Sequence, residues 1–77
     1  GGFEFGADSE SWTVLDVAVA ASGQSKGEAR RLIGQGGFRI NGQQLTDPAA
    51  APPVLIGARY WWVAMGKKRR FVGRRAG

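Results

Sequence analysis

The sequence predicts an α+β fold in which two N-terminal helices pack on a small, mainly antiparallel sheet. Three observations predict it. Two short helical runs follow residue 12, each opened by a Thr or Ser with an acid three residues on. An Asn-Gly pair then sits between two short alternating runs, the strongest local signal for a two-residue hairpin. Further on, an aromatic and β-branched run reaches a glycine turn and comes back as a second strand.

The opening residues 1–6, GGFEFG, are expected to hold no stable element, because glycines flank a short acidic-aromatic run. Residues 1–11 therefore read as a linker, or in part a cloning remnant. Residues 13–22, TVLDVAVAAS, read as the first helix, with Thr13 as N-cap, Asp16 completing a capping-box-like pair and Gly23 at the C-terminal exit. It is apolar nearly all round and should be largely buried.

Residues 25–35 form the second helix. Ser25 and Glu28 make an S-x-x-E capping box, and Gly36 or Gly37 supplies a left-handed exit. At about 100° per residue, Ala29, Leu32 and Ile33 fall on one stripe, the core face. Lys26, Arg30 and Arg31 fall on the other side, with Gln35 beside Arg31. Lys26 and Arg30 place like charges one turn apart, an arrangement that costs a few tenths of a kcal/mol but suits a phosphate-binding face.

Residues 38–45, FRINGQQL, form a hairpin turning at Asn41-Gly42, with Arg39 facing away from the core. Residues 47–53, DPAAAPP, are a loop, since three prolines block regular structure. Residues 54–57 read as a short strand. Residues 59–65, RYWWVAM, are a strand with Tyr60 and Trp62 on one side and Trp61 and Val63 on the other. Residues 66–68 turn, and residues 69–72 return. Bases stack well on Trp and Tyr, yet a thin core needs large apolar side chains, so most of Tyr60, Trp61 and Trp62 are expected to be core.

The totals bound the function. A chain of 77 residues is one small domain, burying only about 60% of its unfolded surface. The absence of Cys and His removes disulfides, thiolate metal sites and the commonest general base. The six acids are not paired for acid/base work, so neither catalysis nor a cofactor nor a metal is expected of this chain. No run approaches the ~20 apolar residues of a membrane span, and residues 14–21 are too short and lack a preceding basic stretch for a signal peptide.

A net charge of +5 with a pI near 10.8 favours a polyanionic partner. The charge is graded along the chain. Residues 1–25 hold four acids and no base, while residues 59–77 hold seven bases and no acid.

The pattern S-K-x-E-A-R-R-L-I, then G-G-x-x-x-N-G, then G-K-K-R resembles the RNA-binding domain named after the fourth protein of the small ribosomal subunit, also called the alpha-L motif. The resemblance covers about residues 12–72. The closing G-A-R-Y-W-W-V-A-M-G-K-K-R-R-F-V is similar to the last strands of bacterial-type tyrosyl-tRNA synthetases. That likeness implies a C-terminal, non-catalytic domain of an ATP-dependent ligase, tethered to a catalytic domain and binding the variable arm and adjacent stem of tyrosine tRNA. Under it, residues 12–73 are the domain and residues 74–77 a basic tail at a natural C-terminus. It implies an RNA-facing set of Lys26, Arg30, Arg31, Asn41, Gly42, Lys67 and Lys68, to which Gln35, Arg39, Arg69 and Arg70 are added. The family often has two basic residues just before G-K-K, where this chain has Ala64 and Met65. Arg69 and Arg70, after the turn, stand in for them.

The implied location is the cytoplasm or a mitochondrial matrix, and the isolated domain is expected to be a monomer. Three other readings stay open. They are the targeting domain of a pseudouridine synthase, a stand-alone rRNA- or ribosome-binding protein, and a basic module for acidic lipid or protein. The last ranks behind the others because the basic residues do not form one amphipathic stripe.

Overall fold

The computed structural model describes residues 2–76. The chain runs β1 (Gly2–Phe5), a 3-10 turn (Ala7–Ser11), α1 (Val14–Ser22), α2 (Lys26–Gly34), β2 (Phe38–Ile40), β3 (Gln43–Gln44), β4 (Tyr60–Met65) and β5 (Arg69–Arg75). The strands form one sheet in the order β1-β5-β4-β2-β3. All neighbours are antiparallel except β1, which runs parallel to β5.

Both helices lie on one face of this sheet. Val14, Val17 and Ala18 of α1 and Ala29 and Ile33 of α2 are fully buried, meeting Phe38, Ile40, Trp61, Val63 and Met65 from the strands. The alternation of β2 and β4 determines which strand residues reach this core. Arg39, Trp62 and Ala64 fall on the other face, which no helix covers.

The α1 N-terminus is closed by three local devices. The Thr13 hydroxyl accepts the Asp16 N–H at 3.4 Å, and Asp16 Oδ2 accepts the Thr13 N–H at 2.8 Å. The proline-rich loop supplies the remaining acceptors, with Pro48 and Ala50 carbonyls taking the Leu15 and Val14 N–H groups at 3.0 and 2.9 Å. The first-turn donors that a helix leaves orphaned are thus met. In α2 the capping box is half made. Ser25 Oγ accepts the Glu28 N–H at 3.3 Å, but Glu28 does not reach back, and its side chain stays in solvent.

Four expectations are corrected. First, Gly2–Phe5 is a strand, with Phe5 buried at 4% exposure. Phe3 and Phe5 alternate with Glu4, and pairing with β5 satisfies the backbone that flanking glycines alone would leave free. Second, Arg74 and Arg75 belong to β5 rather than to a tail, because β1 gives that end of the strand a partner. Third, residues 54–57 hold only an isolated bridge between Ile56 and Tyr60, closed by left-handed Gly57 and Ala58. Fourth, of Tyr60, Trp61 and Trp62, only Trp61 is core; Trp62 is 60% exposed and Tyr60 37%. Two nine-residue helices cover one face of a five-stranded sheet and leave the other open.

Candidate nucleic-acid interface

The basic face of α2 forms as its spacing predicts. Ala29 and Ile33 are fully buried, Leu32 is half-buried, and Lys26, Arg30, Arg31 and Gln35 are exposed. The helix ends in a Schellman motif, in which the Gly36 N–H donates to the Ile33 carbonyl at 3.0 Å and the Gly37 N–H to the Leu32 carbonyl at 3.1 Å. Gly36 takes φ +80°, which a side chain would disfavour, and Gln44 Nε2 donates to its carbonyl at 2.8 Å. The hairpin is therefore bolted to the end of the basic helix.

A second contact brings the β4–β5 turn to the same place. The Gly66 N–H donates to the Gly37 carbonyl at 2.8 Å. Gly36, Gly37, Arg39, Ala64, Gly66 and Lys67 then line a shallow groove of about 330 Å³. The structure thus brings Arg39 and Lys67 to the α2 exit, with Gln35 and Lys68 their neighbours along the chain at the helix C-cap and the turn.

Other candidates fall elsewhere. Asn41-Gly42 sits at the far end of β2, about 10 Å away along a three-residue strand. The Asn41 side chain is committed to structure: its amide donates to the Val54 carbonyl at 3.0 Å and accepts the Trp62 N–H at 2.9 Å. Arg70 stands on the open sheet face, while Arg69 alternates to the helix side, its guanidinium 5.3 Å from the Phe71 ring centroid.

The departure before G-K-K has a structural reading. Met65 points into the core, and Ala64 lies on the open face between Arg39 and Arg70, its partners on the two neighbouring strands. A cation reaches this row from β5 instead of β4.

Four of the six acids are occupied away from these groups, while Glu28 stands exposed in the first turn of α2. Asp16 caps α1, Asp47 accepts the Ala49 N–H at 3.0 Å, and Glu4 and Glu10 lie 3.6 and 3.5 Å from Arg74 and Arg75. The parallel β1–β5 pairing brings the acidic start of the chain onto its basic end. Of eleven Lys and Arg residues, those two arginines pair with acids among the described residues; the other nine are exposed without such a partner. Seven of these nine lie on α2 (Lys26, Arg30, Arg31), on the β4–β5 turn (Lys67 and Lys68, the lip) and on the open sheet face (Arg39, Arg70).

Sequence reasoning missed the exposure of Trp62 and the anchoring role of Gln44. The first had a signal, since Tyr60 and Trp62 share a strand face and two short helices cover only one face. The second had none, because the Gln44–Gly36 contact depends on the hairpin's placement.

Comparisons with known proteins agree with this architecture. Residues 15–50 match the S4 domain. The chain is 40% identical over 78 aligned residues to the tyrosine–tRNA ligase of Corynebacterium jeikeium, covering 96% of this chain and 17% of that protein. It is 36% identical over 69 residues to the tyrosine–tRNA ligase of Amoebophilus asiaticus, covering 82% of this chain and 16% of that protein. The chain thus spans about a sixth of the length of these relatives. The 96% coverage also carries the likeness beyond residues 12–72. Residues 15–50 thus match the S4 domain, and over nearly its whole length the chain is similar to a stretch of tyrosine–tRNA ligase.

Proposed function

We propose that this chain is the non-catalytic RNA-binding domain of a tyrosine–tRNA ligase, residues 12–73 with β1 completing the sheet. It docks the variable arm and adjacent stem of tyrosine tRNA by phosphate contacts and shape. The observation that carries this reading is the set of unpaired cations on α2 and the neighbouring lip, in a chain similar to tyrosine–tRNA ligases over most of its length.

A-form RNA hides its base edges in a deep, narrow groove, so a protein reads backbone geometry and helix junctions. Lys26, Arg30 and Arg31 on the helix, with Lys67 and Lys68 on the lip, neutralise phosphates and release counterions. Each guanidinium can grip one phosphate with two hydrogen bonds. Tethered to a catalytic portion, the domain raises the effective concentration of the tRNA there. Ligase chemistry belongs to that portion, which fits a cytoplasmic or organellar translation enzyme.

The test is a titration of the domain with tyrosine tRNA, the same tRNA with its variable arm trimmed, and a DNA duplex of matched length, at two salt concentrations. A preference for the intact arm that survives the higher salt supports the reading. Equal binding to all three, erased by salt, sinks it and favours a nonspecific basic module.

A further inference from the structure

The α2 face and lip leave a second feature unused. On the open side of the sheet, Arg39, Gly42, Trp62, Ala64, Arg70 and Val72 line a groove of about 440 Å³. Trp62 is 60% exposed and Val72, its partner on β5, 42%. Exposed large apolar side chains grouped in a groove mark a binding surface more often than a bare one.

We propose that this groove takes one unpaired nucleotide of the bound RNA, its base stacked against Trp62 and its flanking phosphates held by Arg39 and Arg70. The inference rests on the RNA-binding reading above and adds a separate contact to it.

Register builds the site. Arg39, Ala64 and Arg70 stand side by side on β2, β4 and β5. At strand spacing their backbones are about 5 Å apart, so two guanidiniums flank a floor formed by a single methyl. Trp62 and Val72 form the next row. Trp62 is held at its backbone, donating to Asn41 Oδ1 at 2.9 Å and accepting the Asn41 N–H at 2.7 Å. An exposed indole on a backbone fixed in this way is a stacking platform, and the affinity of such platforms for bases is largely independent of base identity.

Charge selects the occupant. Two arginines and no acid line the groove, which suits a nucleotide better than an apolar peptide face. Its volume lies within the usual range for small-ligand sites. Access also fits. Arg39, Ala64 and Gly66 line both this groove and the one at the α2 exit, so one track runs from the basic helix over the lip to Trp62. A duplex docked on α2 cannot bend onto the opposite face of the sheet, whereas a single-stranded extension can follow the track.

The experiment compares a blunt RNA duplex with the same duplex carrying a short single-stranded extension. It uses the unaltered chain, Trp62→Ala, Trp62→Phe and the double variant Arg39→Ala/Arg70→Ala, with circular dichroism confirming that each folds. The extension should tighten binding by roughly tenfold and quench tryptophan emission. Trp62→Ala should abolish the gain and leave blunt-duplex affinity unchanged; Trp62→Phe should keep part of it, and the double arginine variant should lose it. No gain from the extension, or a gain that survives Trp62→Ala, overturns the inference while duplex binding stands. Failure to bind either RNA removes the RNA-binding reading itself. If Trp62→Ala abolishes self-association in sedimentation and leaves the RNA gain intact, the face is a protein interface and the inference falls.

Discussion

The Phe5 ring lies 4.6 Å, centroid to centroid, from the Trp61 indole, and Trp12 stacks on the same indole at 6.2 Å. Trp61 Nε1 donates to the Pro53 carbonyl at 2.8 Å. One side chain of β4 therefore gathers the first strand, the entrance to α1 and the proline loop. Phe5→Ala should cost about 3 kcal/mol or more, as large aromatic truncations in cores do. In a domain of this size that lowers Tm by roughly 12 °C or more. Deleting residues 1–11 should do at least as much, and a melting curve unchanged by the deletion would return that segment to the status of a linker.

The two helix caps should respond unequally. Asp16→Ala removes the acceptor for the Thr13 N–H and hydroxyl, a loss of about 1–2 kcal/mol. Glu28→Ala removes no such bond and should stay within about 0.5 kcal/mol of the unaltered chain. Urea midpoints of the two variants separate these outcomes; equal losses would contradict the half-made cap on α2.

Gly73 is buried because a ring occupies the space its side chain would need. A Cβ there would collide with the outer edge of the Phe3 ring. Gly73→Ala should cost about 2 kcal/mol through forced repacking of β1. At Gly23 a Cβ meets nothing, and only the left-handed φ of +72° opposes it, so Gly23→Ala should cost about 1 kcal/mol. The near-ultraviolet dichroism of the Trp61 cluster should change in the first variant and hold in the second.

Replacing Glu4 and Glu10 with Gln should barely move stability, within about 0.5 kcal/mol for each exposed pair. It should strengthen binding to any polyanion, because Arg74 and Arg75 lose their acids. The salt dependence of RNA binding should steepen by about one unit for each arginine that reaches a phosphate. Unchanged salt dependence would place these arginines outside the RNA footprint.

Much of this molecule is readable from local spacing. The α1 capping box, the α2 stripe of Ala29 and Ile33, and the Asn41-Gly42 turn each depend on residues within a few positions of one another, and each forms as expected. What spacing hides is pairing at a distance. Glu4 and Arg74 read as opposite ends of a charge gradient, yet β1 sets them side by side. Trp62 follows the alternation of β4 correctly, but whether its face is covered depends on how many layers the whole chain can build. For the candidate site, α2 and the lip were legible as cations on surfaces. The Arg39–Ala64–Arg70 row was not, since it exists only in the register of three strands.

The pairing of Gly2 with Val72 also bears on the order of assembly. During synthesis the first strand emerges long before its partner, and it has no hydrogen-bonding neighbour until the last strand is made. Local parts, the two helices and the hairpin, can form early, because short loops close cheaply. The sheet closes last and from both ends of the segment at once. Until then β5, once formed, presents an unsatisfied edge to any passing strand. The first four residues of the sheet thus act as a final seal, and a chain that lacks them is left open to pairing with a neighbouring copy.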